Sequence, residues 1–152
     1  VARRNPLREL MQTNLPPISV QKRKLYRPKL SEVKKIYDLL NRYIFDNRLV
    51  RPPIQIGVYK KYWGLCLGHD KFQRKGTYCK IKLVDKWYCI QWLVTTLAHE
   101  MVHQYEWDVL RKPMTHRQSF FIWKSKLAKF NIDLKTYHRS HKWFKYQDFY
   151  KA

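Results

Sequence analysis

The sequence has 152 residues, 45% of them hydrophobic, with 32 Lys and Arg against 11 Asp and Glu for a net charge of +21. That length fits one compact domain with a sizeable core and excludes two independent catalytic domains. A cationic excess this large opposes compaction by self-repulsion and is relieved beside a polyanion, so DNA, or another nucleic acid, is the expected partner.

Residues 1–30 mix Pro6, Pro16, Pro17 and Pro28 with basic side chains and keep no sustained period, which predicts an extended basic arm rather than a packed element. A globular domain is expected over 31–130. It opens with Val33, Ile36, Tyr37, Leu40, Ile44 and Phe45 at helical spacing behind Ser31, a suitable N-cap, giving an amphipathic helix over 32–46 that Asn47 and Pro52-Pro53 end. Ile54, Ile56 and Val58 alternate with Gln55 and Gly57, and Cys79, Ile81 and Leu83 with Lys80 and Lys82, as in strands with one buried face. A third strand fits 62–67, and the charged run 69–75 between Gly68 and Gly76 reads as a hairpin loop with antiparallel pairing.

Trp87 to Leu110 contains no Gly or Pro, and its apolar residues cover most of a helical circumference, so a largely buried helix is expected. Arg111-Lys112-Pro113 breaks it, and a second helix should follow from about His116. In 131–152 aromatic rings alternate with cations, among them Arg139, Lys142, Trp143, Lys145 and Tyr146. Rings of this kind can stack unpaired bases at ~1–3 kcal/mol each while the cations hold phosphate; they could equally pack the segment onto the domain.

Cys66, Cys79 and Cys89 are odd in number and form no Cys-x-x-Cys pair, which argues against a disulfide scaffold and a four-cysteine zinc ribbon. No run approaches the ~20 apolar residues of a membrane span, and no apolar stretch follows Arg3-Arg4 as in a secretory leader. The expected setting is a reducing intracellular compartment, cytoplasm or nucleus, with no membrane partner.

The chemistry is concentrated in His99-Glu100-Met101-Val102-His103. Residues four apart share a helix face, so His99 and His103 can aim two imidazoles at one Zn2+ while Glu100 reaches a water on the same ion. Zinc lowers the pKa of such a water from 15.7 towards ~7, and Glu100, as general base, takes its proton and hands it to a leaving amine. As mere core residues, two histidines bracketing a carboxylate would leave that carboxylate buried without a partner. Catalytic zinc takes three protein ligands, and His116, beyond the Pro-containing turn, is the favoured third. Glu106 is an alternative carboxylate ligand, although its place three residues after His103 suits a supporting role or solvent better. His69 lies in a charged loop, and His138 and His141 in the basic tail. For a donor to the developing oxyanion the candidates are Tyr105 and Arg117, between which the sequence does not choose.

Thr96-Leu97-Ala98-His99-Glu100-Met101-Val102-His103-Gln104-Tyr105, followed by His116-Arg117-Gln118-Ser119-Phe120, resembles the SprT-like (Spartan-type) metallopeptidases. Those carry a His-Glu-x-x-His helix and then a His-Gly-x-x-Phe-like segment. Upstream, 37–45 with Leu49 looks like the family's first helix, and Trp63-Gly64 and the 80–83 strand fall where it has a short sheet, so the resemblance spans roughly 31–130. It implies a small α+β, zincin-like domain with a short, mainly antiparallel sheet packed on the HExxH helix and its neighbours. It also implies His116 as third ligand and protein substrates attached to DNA. Position 117 is Arg where the family commonly has Gly, and the basic aromatic segment stands where a cysteine-based zinc module often follows.

The resulting expectation is a zinc-dependent, DNA-associated endopeptidase. Two alternatives remain: a nucleic-acid-binding or genome-packaged structural protein whose zinc site is a fold staple, and a metal-dependent hydrolase of a non-protein substrate.

Overall fold

The computed structural model describes residues 4–12 and 25–134. The first element, α1 (Pro6–Gln12), corrects the expectation of an extended arm over this stretch. Asn5 caps it, accepting a hydrogen bond from the Arg8 N–H at 3.1 Å, and Pro6 takes the first helical position, where a missing N–H costs nothing. Leu7 and Met11 are buried, the Met11 carbonyl accepts from the Asn131 amide at 3.2 Å, and the Leu10 carbonyl accepts from Gln91 at 3.1 Å. Seven residues are too few to show a period, which is why tertiary packing and not pattern reveals this helix.

Helix α2 (Leu30–Tyr43) buries Val33, Ile36, Tyr37 and Leu40, the stripe read from sequence. It starts earlier than Ser31 allows, because the Glu32 carboxylate takes the Lys29 N–H at 3.4 Å and the Tyr26 hydroxyl at 2.9 Å, making Lys29 the cap. It also stops earlier. Asn41 binds the Leu49 backbone on both sides, at 2.8 and 3.2 Å, and folds 44–49 into a turn with Asp46 and Asn47 at positive φ, so that Ile44 and Phe45 reach the core from outside the helix.

Strands β1 (Ile54–Gly57), β2 (Gly64–Gly68) and β3 (Cys79–Val84) form one sheet in the order β1-β3-β2. Strands β2 and β3 are the antiparallel hairpin pair, in the register Cys66 opposite Ile81, whereas β1 lies parallel to β3. The sheet is therefore mixed rather than mainly antiparallel; alternation reports which face is buried and carries no information on strand direction. Cys79, Ile81 and Leu83 are fully buried, as their alternation requires, while Val58 lies outside β1 and is exposed.

Helix α3 (Ile90–Gln104) packs on β2 and β3 and buries nearly its whole C-terminal half. It begins three residues after Trp87, whose ring is fully buried and whose backbone bridges to Tyr26. From Tyr105 to Val109 the helix widens into a π turn, a distortion frequent at functional sites. The helix expected from His116 is two short ones, α4 (Gln118–Phe121) and α5 (Lys124–Ala128). The architecture is α+β, a small three-stranded sheet against helices, as expected of a zincin-like domain. No helix among the described residues is long and apolar enough to cross a membrane.

Candidate metal centre

Helical spacing puts His99 and His103 on one face of α3, and the chain reversal after Leu110 returns His116 to the same point. The three Nε2 atoms form a triangle with edges of 3.2 Å (His99 to His103), 3.1 Å (His103 to His116) and 3.3 Å (His99 to His116). Three nitrogens at zinc's usual ~2.0–2.1 Å in tetrahedral array stand about 3.3–3.4 Å apart, so the donor set fits such an ion with little adjustment.

Protonation fits as well. Burial pushes the imidazole pKa of His103 down, against an opposing pull from Glu106, and burial also lowers that of His116. Both rings are thus held neutral with lone pairs to offer. Glu106 fixes which nitrogen offers it: its fully buried carboxylate lies 2.8 Å from His103 Nδ1, so the proton sits on Nδ1 and Nε2 faces the other two rings. The same carboxylate accepts from the Thr115 N–H at 3.3 Å, the Thr115 hydroxyl at 3.2 Å and the Ser119 hydroxyl at 2.5 Å. One buried side chain therefore orients one histidine directly and, through the residue before it, positions another. Glu106 supports the site and does not join the triangle.

Phe120 is the floor of the cluster. Its ring, fully buried, meets all three imidazoles at centroid distances of 4.7 Å (His99), 5.0 Å (His103) and 4.9 Å (His116). In the sequence Phe120 stands out only as the Phe of the His-x-x-x-Phe segment, four residues after His116, and nothing there shows that its ring meets all three imidazoles. Phe120→Leu, which keeps bulk but removes the flat surface, should cost roughly 1–3 kcal/mol and weaken metal retention, checked by urea unfolding and chelator competition.

Glu100, next to His99 on α3, is 4% exposed and lies beneath β2. Burial raises its pKa from the ordinary carboxylate range to about 8, opposed by a hydrogen bond from the Cys66 backbone. The backbone comes this close because position 64 is glycine: a Cβ there would stand 2.7 Å from Thr96 Cγ2 and 3.3 Å from Glu100 Cγ. His116, by contrast, is exposed, so the centre is closed below by Phe120 and open on the His116 side.

A second, half-buried carboxylate anchors the end of the helix. Asp108 accepts from the Thr77 hydroxyl at 2.5 Å, the Tyr78 N–H at 3.0 Å and Gln104 at 3.1 Å, and the Tyr37 hydroxyl donates to Gln104 at 2.7 Å. The π turn is thereby tied to the β2–β3 hairpin and to α2. Little in the local sequence signals this network, since its partners come from three separate segments.

The two oxyanion candidates share a cleft. The Tyr105 ring is buried against Trp123 (4.8 Å) and Phe45 (6.2 Å) with the Arg48 guanidinium 5.0 Å above it, and Tyr105 and Arg117 both line a cleft that none of the three histidines lines. Packing in the aromatic cluster fixes the Tyr105 ring between Trp123 and Phe45. Arg139, Lys142, Trp143, Lys145 and Tyr146 lie outside the described residues.

An α+β domain with a three-histidine cluster on and behind one helix has the build of a metallopeptidase-type enzyme. The SprT-like family model matches residues 33–138, and the chain belongs to the SprT-like family. No curated protein matches it.

Proposed function

We propose that this protein is a zinc-dependent endopeptidase that cleaves proteins held on nucleic acid, with His99, His103 and His116 as ligands and Glu100 as general base. The observation that carries the reading is the Nε2 triangle, with an exposed face at His116 and a buried carboxylate, Glu100, on the helix that bears two of its histidines. A structural zinc site is closed by four protein ligands, whereas three ligands and an open side suit catalysis. Zinc bound there would supply a Lewis acid that polarises the scissile carbonyl and acidifies the attacking water.

The protein's own groups do the rest. Glu100 takes the proton of the attacking water and delivers it to the leaving amine; its raised pKa suits this exchange, and a cation held by the three histidines would lower it again. Glu106 and Phe120 keep the imidazoles in place. Among the described residues strand β2 pairs on one side only, with β3, and so offers a backbone edge beside Glu100 to an extended peptide.

The charge of +21 supports nucleic acid as the place where substrates are met, through a gain in effective concentration rather than a tight sequence-reading pocket. The test is cleavage of one protein substrate free and tethered to DNA, with chelation and zinc restoration, over a salt series. Binding should fall with a log–log slope of about −0.9 per phosphate contact on duplex, and tethered substrate should be cut faster. Salt-insensitive binding would remove nucleic acid from the reading; a zinc-loaded, DNA-bound protein that cuts nothing would favour a structural role.

A further inference from the structure

The cleft lined by Tyr105 and Arg117 encloses about 710 Å³, within the ~300–1,000 Å³ usual for small-ligand sites. Leu110, Ile122 and Trp123 form an apolar wall, with Ile122 69% and Leu110 38% exposed. Lys112, Arg117 and Lys126 stand at the same cleft, and among the described residues no acidic side chain lines it. Asp46 lies 3.6 Å from the Lys126 ammonium, but that pair is solvent-exposed and exchanges partners at little cost. The site thus asks for an anion with a flat or apolar body.

We propose that this cleft holds one nucleotide unit of a single nucleic-acid strand, with an unpaired base against Leu110, Ile122 and Trp123 and the flanking phosphates on Lys112, Arg117 and Lys126. The inference rests on the nucleic-acid association proposed above and gives it a place. Charge selects the occupant. A second copy of this chain brings +21, and residues 135–152 bring Lys135, Arg139, Lys142, Lys145 and Lys151 against Asp148, so both meet like charge. A duplex would satisfy the cations but keep its bases stacked inside, leaving the apolar wall in water; an unpaired base covers it. Position adds a consequence. Thr115 and Ser119, whose hydroxyls hold Glu106, also line the cleft, so a strand seated there runs along the back of the segment that bears His116 and keeps attached protein within reach of the centre.

The experiment is fluorescence-anisotropy binding of a labelled oligothymidylate, and of a duplex of equal length, over a salt series. Lys112→Ala with Lys126→Ala is compared with a charge-matched control outside the cleft, Lys35→Ala with Lys75→Ala, and with Ile122→Ser. Loss of two phosphate contacts should flatten the single-strand salt slope by about 1.4, and affinity should fall about fivefold or more beyond the control. Ile122→Ser, at an exposed position that folding does not depend on, should weaken the single strand several-fold and leave the duplex unchanged. Equal losses in the cleft and control pairs, or an Ile122→Ser effect identical on duplex and single strand, overturn the cleft while leaving nucleic-acid association standing. A parent protein that binds neither oligonucleotide overturns both.

Discussion

Glu100→Gln is expected to lower proteolysis by about 10²–10⁴-fold, the usual share of a general base, with bound metal at the parental level. The amide keeps the shape of the side chain and still accepts the Cys66 N–H, and it leaves the Nε2 triangle untouched, so only proton transfer is removed. Single-turnover cleavage of a tethered substrate, with metal content measured on the same sample, separates chemistry from binding; undiminished cleavage would sink the mechanism. The same substitution has a stability signature in the metal-stripped protein. Glu100 is raised from 4.5 to about 8 on folding, so the native state holds a proton that the unfolded chain releases. Its contribution to stability is fully present below about 4.5 and is lost as pH rises through about 8, at about 1.4 kcal/mol per pH unit at most. Glu100→Gln does not titrate, and it should melt above the parent at pH 8 and lose that advantage towards pH 5. A buried carboxylate that costs stability at neutral pH without contributing to packing is what a site kept for chemistry looks like.

How far the sequence reveals this site depends on how local each signal is. His99, Glu100 and His103 are legible because helical spacing alone places them on one face. His116 is legible once the Pro113 turn is seen to reverse the chain. The stripe of α2 and the alternation of β3 are equally local, and they appear where the pattern puts them. What the pattern misses depends on contacts between distant segments. Helix α1 is held by Gln91 and Asn131, the direction of β1 by its partner β3, and the position of Asp108 by Thr77 and Tyr37 through Gln104. Tyr105 illustrates the same limit: the partners of its ring, Phe45 and Trp123, come from segments far from it in sequence. Ends of helices shift for a related reason, since Glu32 and Asn41 override the cap and stop residues nearest in sequence.

Glu106 carries the second large prediction, because so much converges on one carboxylate. Glu106→Ala removes the acceptor for His103 Nδ1–H, the Thr115 N–H and hydroxyl, and the Ser119 hydroxyl, all at a fully buried point. Breaking such a network by deleting one partner costs about 3–5 kcal/mol, and loss of a carboxylate behind a metal-binding histidine weakens metal about 10–100-fold. Here the affinity loss should fall at the upper end, since Thr115 precedes His116 and two of the three imidazoles lose their support together. Glu106→Gln separates the two effects: the amide preserves volume and one acceptor oxygen, so most stability returns, but it no longer offers a charge to His103 and metal affinity stays low. Urea unfolding and competition against a chromogenic chelator read the two quantities independently. Metal affinity within about twofold of the parent in both variants would show that the triangle is held by α3 and Phe120 alone, and that the carboxylate serves the fold rather than the metal.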